Sequence, residues 1–195
     1  KLEIQILDDS TDDSTEIIRE HIQKYIKQGF DIKHIHRTNR QGYKAGALKE
    51  GLEVARGEFI AIFDADFIPR KKFLKRTLPY FYKDDKICLV QTRWEHINRD
   101  DSIITKTIAI ALDAHFVIEQ AVRNRAGFFI QFNGTGGIWR KSAIIDAGNW
   151  QPDTLTEDLD LSYRAQMKGW KIKYLVNFTS PSELHNKINA LKSKQ

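Results

Sequence analysis

Phe59-Ile60-Ala61-Ile62-Phe63-Asp64-Ala65-Asp66 is the stretch on which the reading of the whole chain turns. Five consecutive apolar residues ending abruptly in acids read as a strand covered on both faces, as in a sheet layered between helices. In open sheets of that kind, ligands bind outside the carboxyl ends of the strands, so carboxylates placed there face a crevice. A second pair, Asp8-Asp9, follows the alternating Leu2, Ile4 and Ile6 in the same way. Two carboxylates one residue apart make a hard oxygen site suited to Mg2+ or Mn2+, ions that keep water and take further ligands from substrate phosphates. A lone Asp-x-Asp fits a turn better than a metal; the buried strand in front of Asp64 tips this one toward metal.

Working outward, periodicity predicts helices over residues 14–28, 43–55, 71–82, 103–122, 141–147 and 157–168. Strands are expected near 2–7, 31–36, 59–63, 87–91, 128–132 and 171–176. Strands alternating with helices imply an α/β fold, a mainly parallel sheet flanked by helices. Asp13 with Glu16, and Thr154 with Glu157, have capping-box spacing, while Gly29 and Gly148 provide stops. The Ala/Ile content of Ile103 to Val122 favours a packed core helix over one lying on a membrane surface.

Composition bounds the rest. The chain has 195 residues, 41% hydrophobic and 29% charged, and no repeats or linkers, which suits one globular domain over 1–195. The single cysteine, Cys88, excludes an internal disulfide framework and sits in the apolar run Ile87-Cys88-Leu89-Val90 as a core thiol. A net charge of +5 suits an anionic partner. Nucleic acid is disfavoured as that partner, because acids at the strand ends would repel a phosphate backbone and no nucleic-acid motif is present. No apolar run approaches the ~20 residues needed to cross a bilayer. The chain opens inside a strand and ends in a basic stretch, Lys187 to Lys194, so it reads as a soluble piece of a longer protein.

Two further segments carry candidate chemistry. The basic loop from His36 to Lys44 is suited to a diphosphate, with Lys44 at a helix N-terminus adding a cation to free backbone N–H groups. In Thr156-Glu157-Asp158, the helix dipole accounts for Glu157. Asp158 is one acid more than the cap requires, and a carboxylate there is placed to act as a general base.

Together these segments resemble the family-2 glycosyltransferases of GT-A fold, most closely the cellulose-synthase-like mannan and glucan synthases. The resemblance runs through Leu7-Asp8-Asp9-Ser10-Thr11-Asp12, Gly42-Tyr43-Lys44-Ala45-Gly46-Ala47-Leu48 and Ala61 to Phe67. It continues through Leu89-Val90-Gln91-Thr92-Arg93-Trp94, His115-Phe116 with Glu119-Gln120, Phe132 to Arg140 and Thr156-Glu157-Asp158-Leu159-Asp160. It implies an inverting hexosyltransferase moving a sugar from UDP-glucose or GDP-mannose to a growing β-linked polysaccharide, with single transfer to a lipid acceptor as the alternative. On this likeness Asp8 and Asp9 contact the nucleoside, Lys44 lies near the nucleotide, and Asp64 and Asp66 hold Mg2+ or Mn2+ and the diphosphate. Asn133, Gly134 and Thr135 lie beside the glycan acceptor, with Gln91 and Trp94 nearby; Glu157 adjoins the site and Asp158 is the catalytic base. The family also has an earlier strand ending in a nucleotide motif and a later Arg-Trp pair, neither of which occurs in this chain. The resemblance therefore implies a site completed by other segments, in an enzyme held at the cytoplasmic face of a membrane by segments outside this chain.

Overall fold

In a computed structural model the chain is described over residues 2–154 and 156–184. The basic stretch from Lys187 lies outside these residues. A first unit pairs β1 (Ile4–Asp8) in parallel with β2 (Ile32–His36), bridged by α1 (Ser14–Lys27). After α2 (Tyr43–Val54), a second sheet is built from β3 (Phe59–Ile62), β4 (Ile87–His96), β5 (Gly137–Arg140) and β6 (Lys171–Ser182) in the order β3-β5-β4-β6. Helices α3 (Phe73–Lys83), α4 (Ile103–Asp113), α5 (Gln120–Arg125), α6 (Lys141–Asp146) and α7 (Glu157–Met167) connect and cover it.

The sheet is less parallel than expected. β1–β2 and β4–β6 are parallel, but β5 enters antiparallel to both β3 and β4. The strand expected at residues 128–132 does not form. The Ile130 N–H donates to Gln166 Oε1, the Ile130 carbonyl accepts from Gln166 Nε2, and the Phe132 N–H donates to Ser162 Oγ. Side chains of α7 satisfy this backbone, which leaves it no need of a strand partner.

The helix expected over 103–122 is continuous but changes character, α4 passing through a π-helical segment, Ala114–Glu119, into α5. Thr105, Ala109, Phe116, Gln120 and Ala121 are buried, whereas Ile103, Ile110, Ile118 and Val122 are exposed. One stripe of this helix packs into the core, and its outer face is apolar and exposed. Neither expected capping box forms: Asp13 and Thr156 are the N-cap residues of α1 and α7, and neither makes a side-chain cap bond. Asp12 instead accepts from the Ser14 N–H at 3.0 Å. The cap that does form is at α4, where Ser102 and Thr105 bond reciprocally.

The main core gathers Leu52 and Ile62 with Phe116, Phe132, Trp139, Ile144, Trp150 and Leu161. Cys88 is fully buried within it, and burial pushes its thiol up to about 12, as a core thiol requires. β1 and β3 do not pair with one another among the described residues. A cavity of about 1240 Å³ opens along them, its inner wall formed by Leu7, Leu48, Leu52, Phe59, Ile60 and Leu74. No helix among the described residues is long and apolar enough to cross a membrane.

Candidate active site

Where β1 and β3 end, this cavity is lined by the polar side chains of Asp9, Arg40, Tyr43, Lys44 and Asp64. Lys44 is set there by the tight turn that opens α2. The backbone reverses at Gly42 (φ +70°), and Gly46 packs so closely that a Cβ would meet the Gln41 carbonyl oxygen at 1.9 Å. Nothing larger than glycine fits at position 46 without moving that turn. From it Lys44 Nζ donates to Asp64 Oδ1 at 2.5 Å and to the Gly134 carbonyl at 3.0 Å. Asp64, immediately after β3, also donates its backbone N–H to Thr135 Oγ1 at 2.9 Å.

The loop over residues 133–136 thus docks onto the end of β3 through the Asp64–Thr135 bond, a bond from the Gly136 N–H to the Ile62 carbonyl at 2.9 Å, and the Lys44 bridge. The first of its two glycines, Gly134, has φ +76°, and a Cβ built there would lie 3.4 Å from both Asp158 Oδ2 and Lys44 Nζ. Asp158 and Lys44 therefore converge on one glycine, with Asp64 joined to them through Lys44. Asp158 comes from the first turn of α7, where its Oδ1 accepts from the Leu159 N–H at 2.8 Å. Burial pushes the carboxyls of Glu157 and Asp158 up from their ordinary values; the Asp64 charge adds to this and Lys44 opposes it.

Several residues picked out by the sequence hold the site instead of facing substrate. Gln91 is fully buried. Its Nε2 donates to the carbonyls of Thr92, Thr135 and Gly136, and its Oε1 accepts from the Asn133 N–H. A side chain so enclosed and so fully spent is a positioning residue, which corrects its expected contact with the acceptor. Trp94 Nε1 reaches the Thr135 carbonyl at 3.4 Å, and its ring packs edge-on against Phe67 and tilted against Phe116. His115 of the π-helical segment and Gln120, which opens α5, have a purpose that sequence patterning did not reveal. His115 Nε2 and Gln120 Nε2 each stand 3.3 Å from Asn133 Oδ1. Nδ2 of Asn133 is buried with no partner among the described residues.

The first acidic pair also departs from expectation. Asp9 is gripped by both Nε and Nη2 of Arg37, which also donates to the carbonyls of Gln41 and Tyr43 and to Glu50. Arg37 was expected to hold a diphosphate. It is buried and spends its fork on the loop's own structure. Asp8 is buried too and does not line the cavity, which corrects its expected nucleoside contact. Its oxygens are taken by Ser10, His34 and His36. Asp66 is exposed one turn beyond Asp64. Asp64 and Asp66 would offer a divalent ion hard carboxylate oxygens of the kind Mg2+ or Mn2+ takes, with water and phosphate oxygens completing the shell.

Against this geometry, a family profile described as "Glycosyltransferase like family 2" matches residues 2–187. The chain is 44% identical to glucomannan 4-beta-mannosyltransferase 1 of Oryza sativa subsp. japonica over 199 residues, covering 100% of this chain and 38% of that protein. It is 43% identical to glucomannan 4-beta-mannosyltransferase 2 of Arabidopsis thaliana, of which it covers 37%. The chain therefore spans under two-fifths of the length of these relatives. Among solved structures, it superposes on the mannosyltransferase PcManGT from Pyrobaculum calidifontis, in complex with GDP-Man and Mn2+, with TM-score 0.72 and 19% identity, over 96% of this chain and 49% of that one. The S. aureus TarS 1–349 complex with UDP-GlcNAc gives TM-score 0.66 at 15% identity, over 95% and 50%. The fold is GT-A, the fold of nucleotide-sugar glycosyltransferases. The chain belongs to the glycosyltransferase-like family 2, and its curated relatives are cellulose-synthase-like mannan synthases.

Proposed function

We propose that this chain carries the catalytic chemistry of an inverting hexosyltransferase that lengthens a β-linked glycan, with GDP-mannose the favoured donor. The observation that carries the reading is the convergence of Asp158, Lys44 and, through Lys44, Asp64 on Gly134. The names of the relatives, and the GDP-Man held by a structural neighbour of the same fold, favour mannose over glucose.

The donor's nucleoside diphosphate enters the cavity between Asp9 and Asp64, with Lys44 offering its ammonium to phosphate oxygen. Asp64 and Asp66 would hold a divalent ion, which when bound neutralises charge on the diphosphate leaving group. Asn133, half-buried, stands beside the terminal sugar of the acceptor, while Thr135, buried and bonded through its Oγ1 to the Asp64 N–H, holds the loop there and does not touch the sugar as the resemblance had implied. Asp158 accepts the proton of the attacking hydroxyl as the new C–O bond forms at the anomeric carbon. The bond from that carbon to the phosphate oxygen breaks, and the electron pair leaves with the nucleoside diphosphate. A base facing the acceptor, opposite the leaving group, inverts α to β, as in inverting glycosidases with a sugar hydroxyl in place of water. A carboxyl whose affinity for protons is raised by burial is suited to that task.

The test is calorimetry with GDP-mannose, GDP, UDP-glucose and UDP, with and without Mn2+, together with the anomeric configuration of the product made by the full-length protein. Mn2+-dependent binding of GDP-mannose and a β-linked product are expected. An α-linked product would sink the inverting mechanism, and a preference for UDP-glucose would reassign the donor.

A further inference from the structure

The carboxyl ends of β1 and β2 carry a second cluster that the transfer chemistry does not use. In the parallel register Asp8 lies opposite His36, and Ile6 opposite His34. The two histidines, two residues apart, share one face of β2 and turn toward the end of β1. Asp8 Oδ2 stands 2.8 Å from His34 Nε2 and 3.2 Å from His36 Nδ1, and one ligand atom from each residue lies within 4.8 Å of the other two. The Asp8 side chain is 2% exposed, that of His34 10% and that of His36 29%, so the cluster is closed on the inside and open toward His36.

We infer that Asp8, His34 and His36 form a site for a transition-metal ion of the Zn2+ class, separate from Asp64 and Asp66. Two imidazoles and a carboxylate are the borderline ligand set that Zn2+ selects, whereas Mg2+ and Mn2+ prefer the all-oxygen set after β3. Around a tetrahedral ion with bonds of ~2.0–2.2 Å, neighbouring ligand atoms stand ~3.3–3.5 Å apart. The present separations reach that arrangement through small side-chain rotations. The carboxylate is oriented in advance, because its other oxygen, Oδ1, accepts from the Ser10 N–H at 2.9 Å and from the Ser10 hydroxyl. Such outer-shell support is what fixes a ligand for metal. Three protein ligands leave the fourth position to water or to a small ligand arriving from the side of His36.

The test is titration of the metal-free, tag-free protein with Zn2+ by calorimetry, and with Co2+ by visible absorption, which reports tetrahedral geometry. One-to-one binding is expected, with the intense visible bands of tetrahedral Co2+. His36→Ala and His34→Ala should each weaken Zn2+ binding by at least ~100-fold, the upper end of what loss of outer-shell support alone costs. His36 is partly exposed, so its variant should keep the far-UV spectrum and melting temperature of the metal-free parent. Asp64→Asn with Asp66→Asn should leave Zn2+ binding unchanged. Binding that survives both histidine substitutions, disappears with the Asp64 and Asp66 substitutions, or lacks the tetrahedral Co2+ signature would overturn the assignment. Because no donor or acceptor is present, these outcomes are independent of the transferase reading.

Discussion

Lys44 Nζ lies 2.5 Å from Asp64 Oδ1, so the lysine of α2 occupies a carboxylate oxygen that a divalent ion would use. Cation and ammonium cannot both take that oxygen, and a donor diphosphate resolves the competition by drawing Lys44 onto its phosphates. Lys44→Met should therefore strengthen Mn2+ binding in the absence of nucleotide while weakening donor binding. The loss should be roughly 10-fold to 100-fold, the scale of one hydrogen bond to a charged group at ~1.5–3 kcal/mol. Calorimetry with Mn2+ alone and then with GDP-mannose separates the two effects, and parallel losses in both would refute the competition.

Among the described residues Asp66 has no such partner, and it stands exposed. Asp66→Ala is expected to abolish the Mn2+ dependence of nucleotide binding and leave the melting temperature where it was. A variant whose affinity still rises on adding Mn2+ would remove Asp66 from the metal motif.

Asp158 couples activity and stability with opposite signs. Its carboxyl is raised by burial in the folded protein, so stability falls as pH rises from its unfolded value through its folded one. Asp158→Asn removes that cost and should leave the melting temperature at neutral pH unchanged or higher. In the full-length protein the same change should lower turnover by at least ~10²-fold with little effect on donor binding. For the parent enzyme, activity should fall on the acid side at a pH above the ordinary aspartate range, as the base becomes protonated. Near-normal turnover in Asp158→Asn would dismiss it as the base.

The Asp9–Arg37 fork predicts a folding defect where the sequence pointed only to binding. Arg37 is buried, and losing the carboxylate strands its guanidinium. Asp9→Ala should cost about 3 kcal/mol, the low end for breaking a buried pair, since Glu50 and two carbonyls remain. Chemical denaturation measures it, and an unshifted midpoint would mean that the fork contributes nothing.

How much of this was legible in the chain depended on whether the cause was local. The run from Phe59 to Phe63 announces its strand because a buried strand needs apolar residues on both faces, and the acids after it mark the crevice. Phe128 to Phe132 carries a similar apolar pattern but is no strand, because Gln166 and Ser162, 36 and 30 residues from the groups they bond, satisfy its backbone. Periodicity cannot register a partner so distant in sequence. The same holds for Gln91, whose buried amide holds the loop over residues 133–136, and for Arg37, whose carboxylate partner Asp9 lies 28 residues away. Conversely, Gly134 and Lys44 were legible because the turn chemistry and the helix start that position them are encoded within a few residues.

Gly134 is where the two halves of the site meet, and a single methyl group tests that meeting. At φ +76° an alanine is strained by roughly 1–2 kcal/mol, the usual cost of a left-handed backbone for a residue with a Cβ. The added carbon would also stand 3.4 Å from Asp158 Oδ2 and 3.4 Å from Lys44 Nζ, against the two groups assigned to base and phosphate. Those are ordinary contact distances, so the methyl need not unfold the protein. It fills the space through which acceptor and donor approach each other. Gly134→Ala in the full-length protein is expected to keep most of its stability and lose turnover well beyond what the strain explains, by ~10²-fold or more, because reacting groups misplaced by about 1 Å cost that much. Donor binding, measured by calorimetry, should fall less than turnover. Equal losses in binding and turnover would place Gly134 in the donor pocket alone.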